Sequence, residues 1–350
     1  MGNVLIIDRT IPEIVNCAGK VGRLDLIEFC WGLKELGVGL FEINAQALKK
    51  LEKLPAGIDF VLRVECGEDI NLIRTRNVLG IVTGTHVLKE AKNIERIGKM
   101  GLCITVEQRL DNTSDINGLA SNTPLYKQAS VNCVRLLGLN NFYNSLWLEV
   151  LEKVRGETGA KIDICPENRF FCASALAVEG IMDGADAVTL SFMGIGRPYG
   201  FAALEEVLAA YMLHGNERVK YNLSLLPKLA SQYLILTGAN ICDSKPVIGR
   251  GIFRYESGIH ADGIQKNPAT YEPFHPALVG QERRLCIGKH SGRKSVSRKL
   301  EELGVFCSDK RLELFLEKIR EKSISLCREL CDAELMQLLG EVREDACTDC

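Results

Sequence analysis

No stretch of this chain approaches the roughly 18–20 consecutive apolar residues needed to cross a bilayer. The apolar opening, residues 3–7, is too short for a secretory leader and is closed by Asp8 and Arg9. A strong charge of either sign is also missing: 43 basic against 45 acidic residues leave a net charge of −2, and no Lys/Arg run marks a nucleic-acid or anionic-lipid surface. Small molecules or other protein chains are the expected partners. No Gly-x-Gly-x-x-Gly follows the first strand-like segment, which argues against a dinucleotide-binding open sheet. Histidine is scarce, with five in 350 residues, and no two are spaced His-x-His. Cysteine is abundant at fourteen, but no second Cys-x-x-Cys accompanies Cys347 and Cys350, so a zinc ligand set is not completed. Unpatterned cysteine in a chain of this size points to free thiols in a reducing cytoplasm.

What is present is an alternation of short apolar runs with longer amphipathic ones. Residues 4–7, 40–43, 60–64, 80–83, 102–106, 161–164 and 187–190 read as strands. Residues 24–36, 45–54, 87–100, 125–137, 146–155 and 202–213 read as helices, the first stopped by Gly37. About eight strand–helix units over some 215 residues fit an α/β fold of the (β/α)8 type. Chemistry in such a barrel comes from the C-terminal ends of strands, which directs attention to residues 8–13, Glu42–Asn44, Glu65, His86, Glu107 and residues 165–168.

The texture changes near residue 219. A helix is expected over 223–236, ended by Thr237 and Gly238, then a loop-rich stretch with Gly249, Gly251, Gly258, Gly263, Pro268, Pro273 and Pro276. Residues 295–303 and 310–339 read as helical with charged outer faces. The expected division is a barrel over 1–215, a small subdomain over 216–294 and a helical region with a tail over 295–350. Three of the five histidines, His260, His275 and His290, fall between Tyr255 and Gly292. The same stretch holds three motifs, Ser257-Gly258-Ile259-His260-Ala261-Asp262-Gly263, Thr270-Tyr271-Glu272-Pro273-Phe274 (directly followed by His275) and Gly288-Lys289-His290-Ser291-Gly292.

A barrel followed by these three motifs in this order resembles the homocitrate synthases and 2-isopropylmalate synthases, over roughly residues 3–340. The resemblance implies a metal-dependent TIM barrel that condenses acetyl-CoA with a 2-oxo acid. A divalent metal (Mg, Mn or Zn) would polarise the 2-oxo group, and a base would take a proton from the acetyl methyl. His260 and Tyr271 match the histidine and tyrosine that the small subdomain contributes near the substrates. Glu42 and His290 match substrate-binding positions. Tyr255 stands where the family usually has a histidine.

The barrel half departs from the pattern. The family's Asp-x-Thr-Leu-Arg-Asp-Gly-Glu-Gln appears here as Asp8-Arg9-Thr10-Ile11-Pro12-Glu13-Ile14-Val15-Asn16. The substrate-binding arginine has become Pro12, which donates nothing to a carboxylate. The metal-binding aspartate has become Glu13, whose extra methylene moves the carboxylate by about 1.5 Å. His-x-His-Asn-Asp is replaced by Cys165-Pro166-Glu167-Asn168-Arg169, the metal-site asparagine by Phe201, and Asp-Thr by Arg135-Leu136.

A kept small subdomain beside an altered metal site implies division of labour, as in two-chain homocitrate synthases of nitrogen fixation, whose omega chain this sequence resembles. A homologous intact-barrel chain would hold the divalent metal and 2-oxoglutarate, a 2-oxo dicarboxylic acid. This chain would donate His260 and Tyr271 across a heterodimer and need bind no metal itself. Two alternatives stand beside this reading. One is a self-sufficient acyltransferase with an altered metal site of Glu13, Cys165 and Glu167. The other is a non-catalytic regulator or scaffold.

Overall fold

The computed structural model describes residues 4–17, 21–73, 78–142, 146–214 and 221–345; Cys347 and Cys350 lie outside them. Eight strands, β1 Leu5–Asp8, β2 Leu40–Ile43, β3 Phe60–Val64, β4 Gly80–Gly84, β5 Cys103–Leu110, β6 Cys133–Gly138, β7 Lys161–Pro166 and β8 Ala187–Leu190, form a closed barrel. Every neighbouring pair is parallel, and β1 closes on β8 with Leu5 opposite Ala187 and Asp8 opposite Leu190. Helices connect successive strands, so this is the expected (β/α)8 architecture. Ile6, Phe41, Leu62, Ile81, Val134, Ile162 and Val188 are buried along these strands, which explains why short apolar runs marked them so clearly.

The strand that sequence periodicity missed is β6. The expected helix over 125–137 is instead a helix, Leu119–Gln128, a turn in which Ser130 takes φ 53°, and then Cys133–Gly138 in the sheet. Arg135 caused the misreading, because a charge between Val134 and Leu136 reads as the polar face of a helix. Here it points into the barrel and is fully buried. Three smaller expectations also need correction. Residues 87–100 divide into two helices, Thr85–Leu88 and Ala91–Gly98, because Glu90 is extended. Residues 310–339 divide into Asp309–Leu326 and Asp332–Asp345, broken where Cys327 turns left-handed. The stretch expected to be loop-rich contains the helix Gly258–Lys266, whose first turn is capped by the Ser257 side chain. The helix Thr10–Cys17 was not foreseen; its Pro12 sits in the first turn, where a missing N–H costs no intrahelical bond.

The barrel interior is ionic. Register sets Glu107, Arg135 and Asp163 abreast on β5, β6 and β7. Arg135 donates through Nε to Asp163 (2.5 Å), and through Nη1 to Glu42 and to Glu107 (3.3 Å). Arg63 on β3 adds a bond from Nε to Glu42 (2.6 Å) and a two-pronged pair to Glu107 (2.6 and 2.8 Å). The Thr189 hydroxyl on β8 reaches Asp163 at 2.8 and 3.0 Å. Burial alone would raise the Glu42 carboxyl, but Arg63, Arg135 and Arg9 outweigh it and hold it below its ordinary value. Glu107 is held down at about 2, with Arg63 and Arg135 overcoming the same burial. Asp8, at the end of β1, lacks such a partner. Burial pushes it up to about 7 despite its hydrogen bonds from Thr10.

Contacts divide the chain into two compact units, one of Met1–Ile241 with Pro246–Ile248 and one of Cys242–Lys245 with Gly249–Cys350. The second unit has its own core, with Ile287, Val296, Phe315, Ile319, Leu339 and Val342 buried between the helices Arg293–Glu302, Asp309–Leu326 and Asp332–Asp345. A two-stranded parallel ribbon, β9 Arg254–Tyr255 with β10 Arg284–Leu285, carries the loops of interest.

Two outcomes test the ionic interior. Arg135→Met leaves buried carboxylates uncompensated and should destabilise the fold by about 3–5 kcal/mol at neutral pH. The deficit should shrink toward pH 5 as those carboxyls take up protons; urea denaturation at both pH values measures it. Asp8 binds its proton more tightly folded than unfolded, so its contribution to stability falls as pH rises from about 4 through about 7. Asp8→Asn should therefore gain on the wild type over that window by an amount on the order of 4 kcal/mol, read from paired denaturation curves.

Candidate functional site

The C-terminal ends of β1, β7 and β8 meet at Arg9. Its backbone N–H donates to the Leu190 carbonyl (2.9 Å), which ties it to β8. Beside it Thr10 links the same two strands: its hydroxyl donates to Asp8 (2.5 Å) and accepts from the Phe192 N–H (2.7 Å). The Arg9 side chain turns into the barrel mouth. Its Nη2 pairs with Glu13 at 3.0 Å, its Nη1 approaches the Cys165 Sγ at 3.6 Å, and its Cζ lies 3.8 Å from the centre of the Phe201 ring. The Phe201 ring lies where a Cβ on Gly196 would be, only 2.1 Å from its Cε2, so glycine is required there. Glu13, on the helix Thr10–Cys17, and Cys165, on β7, thus both approach the Arg9 guanidinium.

Glu167 goes elsewhere. It accepts two bonds from Arg109 (2.9 and 2.6 Å), and Arg109 also reaches Asp111 at 2.8 Å. Glu42 is fully buried in the ionic interior, with both oxygens taken by Arg63 and Arg135. Asn44 caps the helix Ala45–Leu51 by accepting the Ala47 N–H at 2.8 Å, and Asn168 accepts the Ala173 N–H at 3.3 Å. The His86 ring meets the Glu65 carbonyl at 3.0 Å. Most polar residues at the strand ends are therefore engaged with one another. Arg63 and Arg109 were not singled out from sequence, and Arg9 was covered only as part of residues 8–13, with no role given to it. The available signal was charge balance, since carboxylates inside a barrel need cations from neighbouring strands.

The divalent metal implied by the resemblance does not fit this mouth. Among the described residues, no three His, Cys, Asp or Glu side chains gather as a metal-holding cluster. Burial pushes the Cys165 thiol up to about 11 although Arg9 and Arg135 pull it down, and its Sγ is already approached by the Arg9 Nη1. Phe201 offers no lone pair. The Arg9 Nε and Arg135 Nη2 are buried donors with no acceptor among the described residues, and buried guanidinium charge repels a second cation. A polar recess of about 260 Å³ lies at the ends of β2 and β3, between Asn16, Asn44, Arg63 and Asp69. The larger cavity, about 1040 Å³, is at the opposite, N-terminal end of the strands, lined by Asp59, Cys103, Cys133 and Lys161 among others. Barrel chemistry belongs to the first face, so size does not choose the site.

The second unit is ordered differently, with its polar groups turned outward. His260 is exposed on the helix Gly258–Lys266, and its ring packs edge-on against that of Tyr271, with centroids 4.6 Å apart. A Cβ on Gly263 would come within 2.4 Å of the Tyr271 ring, which accounts for glycine there. Arg283 grips Glu272 with two bonds of 2.7 and 2.8 Å and anchors the segment that carries Tyr271. Tyr271 itself is 45% exposed. Glu256 accepts the His290 backbone N–H at 2.6 Å, while buried Ser291 closes the turn by accepting from Gly288 at 3.0 Å. The His290 side chain stays exposed. His275 is structural: its Nδ1 accepts the Ala277 N–H at 3.2 Å at the start of a short helical turn.

These features can be set beside known proteins. A family described as "Homocitrate synthase post-HMGL domain-like" matches residues 247–325, the segment that holds His260, Tyr271 and His290. The omega subunit of homocitrate synthase from Clostridium pasteurianum is 33% identical across 96% of this chain and 95% of its own length. A 2-isopropylmalate synthase from Caldanaerobacter subterraneus subsp. tengcongensis is 31% identical across 97% and 96%. Among solved structures, hydroxymethylglutaryl-CoA lyase from Pseudomonas aeruginosa superimposes with a TM-score of 0.57 over 68% of this chain and 94% of its own, at 14% identity, a likeness of fold alone. No described helix is long and apolar enough to cross a membrane. With a barrel of this topology, the three motifs on the second unit and full-length similarity to both synthases, the chain belongs to the homocitrate synthase and 2-isopropylmalate synthase family.

Proposed function

We propose that this chain is the omega-type subunit of a two-chain homocitrate synthase, which condenses acetyl-CoA with 2-oxoglutarate for the nitrogenase iron–molybdenum cofactor. One observation carries the reading: the barrel mouth is filled by its own ion pairs, whereas His260 and Tyr271 stand exposed and prearranged on the second unit. An exposed pair of this kind, in a chain whose own barrel mouth is filled, suits donation to another chain's site. Full-length similarity to a chain named as an omega subunit supports the same reading.

In this scheme the homologous partner's barrel holds the 2-oxo acid and the divalent cation, which supplies Lewis acidity there. His260 is placed to exchange a proton at an imidazole nitrogen, and the Tyr271 hydroxyl to donate a hydrogen bond to a developing oxyanion. The acetyl methyl loses a proton, its carbon bonds to the 2-oxo carbon, and the new alkoxide is protonated. Water then cleaves the thioester and releases CoA as the free thiol. Arg283 anchors Glu272 next to Tyr271, and Glu256 fixes the loop that presents His290 as a substrate-binding candidate. The self-sufficient alternative would need Glu13, Cys165 and Glu167 to act together, and Glu167 is paired with Arg109 instead.

The test is thiol release from acetyl-CoA and 2-oxoglutarate by this chain, by an intact-barrel chain of the same source, and by their mixture. The chain alone should be inactive, and the mixture should exceed the partner alone. His260→Ala should lower the mixture's rate by about 10²-fold or more, and Tyr271→Phe, which keeps the ring contact, should lower it substantially. Full activity of a mixture containing His260→Ala would sink the donation scheme, as would turnover by this chain alone.

A further inference from the structure

Arg9 makes three side-chain contacts at the barrel mouth. They are a carboxylate from its own helix, Glu13 at 3.0 Å, a thiol from β7, Cys165 at 3.6 Å, and an aromatic face from the segment after β8, Phe201 at 3.8 Å. These are three of the four positions that motif matching assigns to metal ligands; the fourth, Glu167, is held by Arg109. We infer that the Arg9 guanidinium is the resident cation of this barrel mouth, standing in for a divalent metal and excluding one.

The contacts suit a guanidinium and not a metal ion. A planar, weakly hydrated cation stacks on an aromatic face and donates to a carboxylate in the same posture. A hard divalent ion requires oxygen or imidazole lone pairs, which Phe201 cannot supply. Two of the surrounding carboxylates, Glu42 and Glu107, are already compensated by Arg63 and Arg135, which leaves them little pull on a second cation. The cation cannot diffuse away, since the Arg9 backbone is fixed to β8 through the Leu190 carbonyl and its side chain is only 9% exposed. Its role is to join the ends of β1, β7 and β8 with an internal charge, as an ion would. It cannot accept lone pairs from a 2-oxo acid, so the mouth keeps its shape but not Lewis acidity.

The inference concerns ion binding by this chain alone and is read without any assay of activity. Wild type, Arg9→Ser, Arg9→Lys and Glu13→Gln are titrated with Mn2+, and the free ion is followed by its EPR signal, with circular dichroism to check folding. Wild type should take up no tight Mn2+, and its thermal midpoint should not move with EDTA. Arg9→Ser, with the guanidinium gone and Glu13 released, should bind Mn2+ at least about tenfold more tightly than wild type. Arg9→Lys, which keeps the charge, should stay at the wild-type level. A folded Arg9→Ser that binds no more tightly than wild type overturns the inference, and so does an Arg9→Lys that binds as tightly as Arg9→Ser. Should Arg9→Ser fail to fold, wild type decides: one tight Mn2+ per chain, lost in Glu13→Gln, refutes the resident-cation role, and no uptake upholds it.

Discussion

The structure of the first unit depends on one buried guanidinium. Arg135 has no solvent exposure and is held between Glu42, Glu107 and Asp163 on three different strands. Three carboxylates inside a barrel repel one another and lose their hydration, and either effect alone would open the sheet. One arginine at the centre, assisted by Arg63, turns that repulsion into cross-links between β2, β3, β5, β6 and β7. The usual layered filling of a barrel interior by branched apolar side chains is thus replaced, at this level, by a charge lattice. Its geometry must be good because neither partner of such a pair can be lost singly without leaving a buried charge.

The same arrangement, repeated one layer higher, decides the character of the mouth. Arg9 with Glu13, and Arg109 with Glu167 and Asp111, engage the carboxylates that would otherwise face a ligand. A mouth built this way has its carboxylates paired with its own arginines. It is poorly suited to accepting a small dianion through Arg9 or Arg109, since each already holds a carboxylate. The chemical groups left available are therefore on the second unit, where His260 and Tyr271 touch each other and solvent, and where glycine at 263 permits close packing against the Tyr271 ring.

This distribution fits the descent of a subunit from a self-sufficient enzyme. Residues that hold a fold, such as the strand cores and the caps at Asn44 and Ser257, keep ordinary roles. The positions matched to the family's metal ligands carry Glu13, Cys165, Glu167 and Phe201, which engage Arg9 or Arg109. Pro12, with no side-chain donor, is buried in the first helical turn and contributes packing.

The sequence by itself determined the barrel, because short apolar strands alternating with amphipathic helices have few other ways to bury their surfaces. It also determined the three motifs of the second unit and the loss of ligand types at Pro12, Glu13, Cys165 and Phe201, since these are matters of side-chain chemistry read in order. It did not determine β6, where a buried arginine disguised a strand as a helix, nor the helix Gly258–Lys266, whose glycines suggested a loop. Above all, it did not disclose that Arg9 fills the mouth or that Glu167 turns away to Arg109. Those partners are 156 and 58 residues apart along the chain, and only closure of the barrel brings them within bonding distance. Which charge meets which is set by strand register and by the side each residue faces, and neither is written in local sequence.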